Sequence, residues 1–432
     1  NKEYLRRSII KKRGIKLWQK IQGQVYGNLL LKNALIFPGV KRFIWRCKQR
    51  KNKVYIISHK TKYGAFDKKK VLLREVAKKF LKKQGILGGN SFSVDGIFFA
   101  NDGESKAQII NKLGVDYFID DLKVFINFFD NYKKNFRKRK THLIHFNYKA
   151  QSKHNKNSSS KTKTLSSWHE IDLLINKYWT KKEIIKISSN VIRKKLLKAS
   201  LITKGGNSAL YKLFFPKKVY KLKFYPIDVE HDRLLSEINA NNILQKVNKK
   251  NFGKMLKFDR DLGYAFYEWH SGKKIVQPTL KDIDFAINFI KALNKMKMKN
   301  FSKKINFSKD SCLNVIEIKK RIESKIKTLD RVKKKNPRLN KFLQRKFKPL
   351  LKKIFFYCRK KWEMKKGFFD NIERKDQSLC PMDFGFHNCI KKENKLIFFD
   401  FEYFGWDDPA RLISDFIYHP RMKLTNYQIK YW

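Results

Sequence analysis

Apolar positions recur along this chain in two periods, and their order predicts its elements. Val54 to Ser58 (VYIIS) is a short β-branched and aromatic run between polar Arg50 to Lys53 and His59-Lys60, the profile of a buried parallel strand. From Val71 to Gln84 the period changes: Leu72, Val76, Phe80 and Leu81 share one helical stripe, and Gly85 stands where a C-terminal cap belongs. Gly96 to Ala100 (GIFFA) predicts a second strand, Ser105 to Leu113 a helix closed by Gly114, and Tyr117 to Ile119 a third strand running into Asp120-Asp121. This alternation is that of an α/β domain with a Rossmann-like parallel sheet, expected over residues 1–146.

Between Asn147 and Ser167 apolar residues thin out and Lys, Ser and Asn dominate, which predicts a linker over residues 147–167. The remainder, 168–432, opens with a helical pattern from Lys182 to Lys198. Strand-like runs follow at Ser200 to Leu213, which contains the turn Gly205-Gly206, and at Lys218 to Tyr225. Val315, Ile318, Ile322, Ile326 and Leu329 then recur at steps of three and four, predicting a long amphipathic helix. Cys389-Ile390 and Leu396 to Phe401 read as a last strand pair around the polar turn Lys392 to Lys395. Strands first and helices afterwards predict an α+β domain.

The 432 residues suffice for two or three domains. With 42% hydrophobic and 14% aromatic residues, the chain is too apolar to be wholly disordered despite 32% charged ones. A net charge of +64 draws polyanions in general. The lysines, however, run the whole length beside an excess of Asn, Ile and Phe, the mark of A/T-rich coding rather than of a placed patch. No specific nucleic-acid site is expected, only weak association with nucleic acid or an anionic membrane surface. Cys47, Cys312, Cys358, Cys380 and Cys389 form no C-x-x-C pair. No apolar run reaches the roughly eighteen residues of a membrane helix, so a soluble protein in a reducing, cytoplasmic setting is expected. The chain opens at Asn1 rather than Met and stops at Trp432 within what reads as the start of another segment, so truncation at both ends is expected.

The chemistry concentrates between Cys380 and Phe401. Asp383 is followed five residues later by Asn388, and Asp400 ends an apolar strand. Phosphoryl transfer from Mg-ATP needs one carboxylate to orient the attacking hydroxyl, and an amide oxygen and a second carboxylate to hold magnesium against the phosphates. The plain alternative makes Asp383 a loop cap and Asn388 a turn former; His387 is expected to be structural and the aromatic run Phe401 to Trp406 to be core.

The run D-F-G-F-H-N, then F-F-D-F-E-Y-F-G-W-D-D-P from Phe398 to Pro409, resembles the aminoglycoside phosphotransferase and choline kinase families, whose fold is similar to that of protein kinases. The resemblance implies Asp383 as catalytic base, Asn388 and Asp400 as magnesium ligands, and ATP and Mg2+ as cofactors. It further implies a phosphate-covering turn at Gly205 and Gly206, a phosphate-anchoring Lys223 with Lys221 as its rival on the same strand face, Glu237 as the lysine's ion-pair partner, and an adenine-reading hinge at Tyr264 to Gly272. The family commonly carries a His two residues before the catalytic Asp; this chain has Pro381.

The N-terminal part resembles haloacid-dehalogenase-like phosphatases. Ile56-Ile57-Ser58-His59-Lys60 at a strand end, Lys106 at a helix start and Phe118-Ile119-Asp120-Asp121 match that family's later motifs. The resemblance implies phosphate binding by Ser58 and Lys106 and metal binding by Asp120 and Asp121. The family's nucleophilic D-x-D strand is missing before Phe37-Pro38-Gly39, by truncation or because the domain is a non-catalytic relic; the plain alternative makes Ser58 a cap and Asp120-Asp121 a helix start. The expectation is an ATP- and Mg-dependent kinase of a small-molecule hydroxyl fused to this module. Its rival is a basic binding protein with a degenerate kinase fold, holding a nucleotide or polyanion without turnover.

Overall fold

The capping residues and the two periods set most element boundaries. In a computed structural model, the structure describes residues 2–64, 70–132, 141–148, 162–204, 208–227, 231–247, 250–332, 336–362 and 368–432. The chain forms two units, the first comprising residues 1–218, 222–230 and 258–264, the second 219–221, 231–257 and 265–432.

The first unit opens with three helices, α1 (Lys2–Gln24, broken at Gly14), α2 (Leu30–Asn33) and α3 (Val40–Gln49). Then β1 (Tyr55–His59), α4 (Leu73–Lys83), β2 (Gly96–Ala100), α5 (Gly103–Leu113), β3 (Tyr117–Asp120) and α6 (Lys123–Tyr132) alternate as the periodicity predicts. An Asp102/Ser105 capping box starts α5, and Gly114 ends it at φ 59°, where a side chain would be strained. Two further strands follow, β4 (His142–Phe146) and β5 (Lys163–Leu165), then α7 (Trp168–Asn176) and α8 (Lys181–Ile192).

Parallel pairing is present, but in two sheets rather than one. β1 pairs with β2 from Tyr55 opposite Gly96 to His59 opposite Ala100, while β3, β4 and β5 form a separate parallel sheet. Among the described residues no strand pairs with the outer edge of β1 or of β3. Both sheets share their cores: Ile56 and Ile119 pack against Phe43, Ile144 and Ile171, and Ile57 lies with Phe118, Ile110 and Ile126. β5 falls inside the stretch expected as linker, of which residues 149–161 lie outside the described residues.

Buried charge ties α7 and α8 to α3. Arg46 donates to Asp172 (2.8 Å) and Glu183 (3.2 Å), and Arg42 lies 3.4 Å from Asp172, with all four side chains at most 2% exposed. Residue 168, where composition placed the second domain's start, therefore lies inside the first unit. α8 also stops at Ile192, with Arg193 left-handed at φ 52°, short of the helical run expected to Lys198.

The next strands, β6 (Lys198–Lys204), β7 (Ala209–Phe214), β8 (Val219–Phe224), β9 (Met255–Asp259) and β10 (Tyr264–Glu268), form a five-stranded sheet in the order β6-β7-β8-β10-β9, with α9 (Arg233–Lys246) between β8 and β9. The second unit continues through β11 (Lys273–Lys274), α10 (Leu280–Asn294), α11 (Val315–Val332), α12 (Pro337–Phe342) and α13 (Lys348–Trp362). It ends with β12 (Ser378–Cys380), β13 (Cys389–Lys392), β14 (Lys395–Phe398), β15 (Gly405–Asp407), α14 (Pro409–Tyr418) and α15 (Asn426–Tyr431). Its core gathers Phe289, Phe384, Phe398, Phe401, Phe404, Trp406 and Phe416, so the aromatic run at 401–406 is core as expected. The Trp406 indole N–H donates to the Ser302 carbonyl at 2.9 Å, giving the buried ring its one polar requirement. Among the described residues no helix is long and apolar enough to cross a membrane.

Candidate functional site

One hairpin brings the second unit's chemistry together. β13 and β14 pair antiparallel, Cys389 opposite Phe398, and the Phe399 N–H donates to the Asn388 carbonyl at 2.9 Å. Asn388 at one hairpin end thus lies beside the segment that enters Asp400 at the other. Upstream, β12 leads into Met382 and Asp383, both left-handed at φ 50° and 49°, and a 3-10 turn, Phe386–Asn388, closes the loop. Asp400 is left-handed too, at φ 70°. Three non-glycine residues in this region concentrate at the candidate site, and such backbone persists where surrounding packing over-determines it. Phe384 and Phe386, buried in the aromatic core, supply that packing.

The Asn388 side-chain amide donates to both the carbonyl (2.9 Å) and the carboxylate Oδ2 (3.2 Å) of Asp383. This orientation commits the NH2 to Asp383 and presents Oδ1, a hard oxygen donor, on its other side. Asp383 Oδ1 faces two histidines, His387 Nε2 at 3.1 Å and His419 Nε2 at 3.3 Å, whose rings stack 4.0 Å apart. An ionised carboxylate only accepts, so each Nε2 carries the hydrogen. Both second nitrogens agree: the Arg421 N–H donates to His419 Nδ1, and buried His387 Nδ1 has no partner, which costs less for a lone pair than for an N–H. Burial pushes the Asp383 carboxyl up, but the hydrogen bonds from His387 and Asn388 and the nearby imidazoles outweigh it and hold it below the usual range. His387 therefore touches the candidate base directly. His419 went unnoticed in the sequence, where Tyr418-His419-Pro420 matches no pattern.

Asp400 belongs to an acidic group: one carboxylate oxygen each from Glu237, Asp400 and Glu402 lie within 4.8 Å of one another. Arg233 on α9 pairs with Glu402 at 3.0 Å, both side chains 7% exposed. Glu237, expected as a lysine's partner, stands in this group within the second unit. Lys223 belongs to the first unit, where it is buried with its ammonium 4.6 Å from the centre of the Tyr225 ring. Lys221, in the second unit, lies over Tyr267 (4.2 Å) and Phe399 (4.8 Å). Gly205 and Gly206 lie outside the described residues.

Of the N-terminal candidates, Lys106 and Asp120 meet. The buried Lys106 ammonium is 2.5 Å from Asp120 Oδ2 and 4.3 Å from the centre of the Phe125 ring. Asp120 Oδ1 accepts from the Leu122 N–H, so this carboxylate also works as a local turn anchor. Ser58 is half-buried on β1, and Asp121 is exposed.

No family model matches the chain, and no curated protein matches it. Solved structures similar to it include an amicoumacin kinase, hAmiN, in complex with AMP-PNP, Ca2+ and Ami, at 14% identity and TM-score 0.39 over 59% of this chain and 75% of that one. The streptomycin–ATP ternary complex of APH(2")-IIa matches at 14% and 0.38 over 55% and 75%. Choline kinase from Cryptosporidium parvum Iowa II matches at 15% and 0.39 over 55% and 68%. Likeness at such scores does not by itself define a fold or an activity.

Proposed function

We propose that residues 168–432 carry an ATP- and Mg-dependent phosphotransferase acting on a small-molecule hydroxyl, with Asp383 as base and Asn388 and Asp400 as magnesium ligands. The observation that supports it is the hairpin register that sets Asn388 beside Phe399, the residue before Asp400, while its amide grips Asp383. The donor set suits Mg2+, which takes a few oxygen ligands and keeps several waters. Magnesium bound there would neutralise charge developing on the transferred phosphoryl group.

Asp383 would accept a hydrogen bond from the substrate hydroxyl and aim its oxygen at the phosphorus. Its lowered pKa makes it a weak base, adequate for a loose transition state in which the nucleophile keeps its proton until late. Lys223 and Glu237 are proposed as phosphate-side residues, with Gly205 and Gly206 in the covering turn. In a screen of hydroxyl acceptors with labelled ATP, Asp400→Asn should lose nearly all transfer while staying folded, and Asp383→Asn should lose turnover with ATP affinity kept. Near-normal transfer by either variant refutes the assignment; nucleotide binding without turnover on any acceptor favours the non-catalytic rival.

For residues 1–146 the haloacid-dehalogenase-like reading rests on the Lys106–Asp120 pair at the carboxyl end of a parallel strand, with Ser58 and Asp121 as its further proposed site residues. With no D-x-D motif to supply the nucleophile, no phosphatase turnover is expected from these residues; turnover would refute that mechanism.

A further inference from the structure

The stretch from Asn336 to Trp362 contains ten Lys and Arg residues and no Asp or Glu. α12, one π-helical turn (Leu343–Phe347) and α13 follow one another without a break, and α13 alone is about 22 Å long at the usual helical rise. No residue of α13 is fully buried. It meets α11 where Lys348 pairs with Asp330 at 3.3 Å and where Lys319 lies 5.5 Å from the centre of the Phe355 ring. Leu350, Ile354 and Tyr357, at steps of four and three, form a stripe with exposures of 57, 47 and 55%, and Phe356 stands 72% exposed. Lys353, Lys360 and Lys361 border that stripe, and Trp362 ends the helix.

We propose that this helix is a docking surface for an anionic phospholipid bilayer, lying in the headgroup plane with Leu350, Ile354 and Tyr357 inserted and the bordering lysines on lipid phosphates. Charge selects the occupant. A second copy would bring another helix with cations and no acidic residue to pair them against this one, and like charges repel. A nucleic acid would satisfy the cations but offers Leu350 and Ile354 no apolar medium. An interfacial helix needs both features on one element, cations for anionic headgroups and Trp, Phe and Leu for the acyl boundary. The overall positive charge supplies long-range attraction anywhere on the chain; the exposed stripe localises it.

The test uses the full chain and sedimentation with phosphatidylcholine vesicles, with and without phosphatidylglycerol. Wild type should bind the anionic vesicles at least about tenfold more tightly than the neutral ones, with part of that binding persisting in high salt. The variant Leu350→Ser/Ile354→Ser/Tyr357→Ser should lose about tenfold in affinity and all the salt-resistant part, while its circular dichroism is unchanged because these side chains are exposed. Lys353→Glu/Lys360→Glu/Lys361→Glu should abolish the preference for anionic lipid. Equal binding by wild type and the serine variant would reduce the effect to bulk charge and overturn the proposal. Protection of α13 from hydrogen exchange by an oligonucleotide and not by vesicles would also overturn it, in favour of a nucleic-acid face.

Discussion

Replacing Arg233 by Met tests the electrostatic construction of the acidic group. Arg233 and Glu402 are 3.0 Å apart and 7% exposed, and Glu402 shares its surroundings with Asp400 and Glu237. Met preserves most of the volume and removes the charge, so Glu402 becomes an under-compensated buried carboxylate beside two more. Breaking one partner of a buried pair costs about 3–5 kcal/mol. For a unit of this size that corresponds to a fall in Tm of roughly 6–12 °C at the low end of that range. Two controls separate this from lost packing. Arg233→Met/Glu402→Leu should recover more than half the loss, since the double variant leaves no unpaired charge. Mg2+ should raise the Tm of Arg233→Met more than that of wild type, since a cation can take over the arginine's neutralising role. Strict additivity of the two substitutions in thermal unfolding, with no greater Mg2+ response, would refute the reasoning.

At Gly405 an added Cβ would lie 2.4 Å from the Ser308 nitrogen and 2.5 Å from the Phe307 carbonyl carbon, both backbone, so Gly405→Ala should destabilise the second unit by about 3 kcal/mol or more, read by urea unfolding. Burial pushes Asp282 up, but its bonds to Lys391 (2.7 Å) and to Thr279 at the start of α10 outweigh this and hold it below the usual range. Its contribution is therefore present above the ordinary carboxylate value and lost as pH falls through the lowered one. Asp282→Asn should be less stable than wild type by about 1 kcal/mol at neutral pH, with the gap closing below about pH 4. A gap that persists at pH 3 would assign the effect to packing instead.

What the sequence made legible was what neighbours along the chain decide. Asp383, Asn388 and Asp400 stand within one loop and hairpin, so their spacing nearly fixes their geometry, and α5 was readable because Gly114 caps its end and Ser105 stands in the capping box at its start. β5 was not readable: Lys-Thr-Leu has no period of its own and becomes a strand because β4 offers an open edge beside it. His419 reaches Asp383 only after α14 has folded back, a contact no local pattern encodes. The resemblance makes Glu237 a lysine's ion-pair partner; that its carboxylate also stands beside Asp400 and Glu402 depends on how α9 meets the segment after β14, which no local pattern encodes. The backbone of Asp400 joins both kinds of information. A left-handed aspartate is locally unfavourable, so propensity alone argues against it. It persists because Phe398 and Phe401 on either side are buried in one aromatic core while Phe399 is tied to Asn388, leaving the residue between them a single way to turn. The burial of its neighbours therefore aims this carboxylate, and the strain falls on a residue that the proposed chemistry needs outside the core.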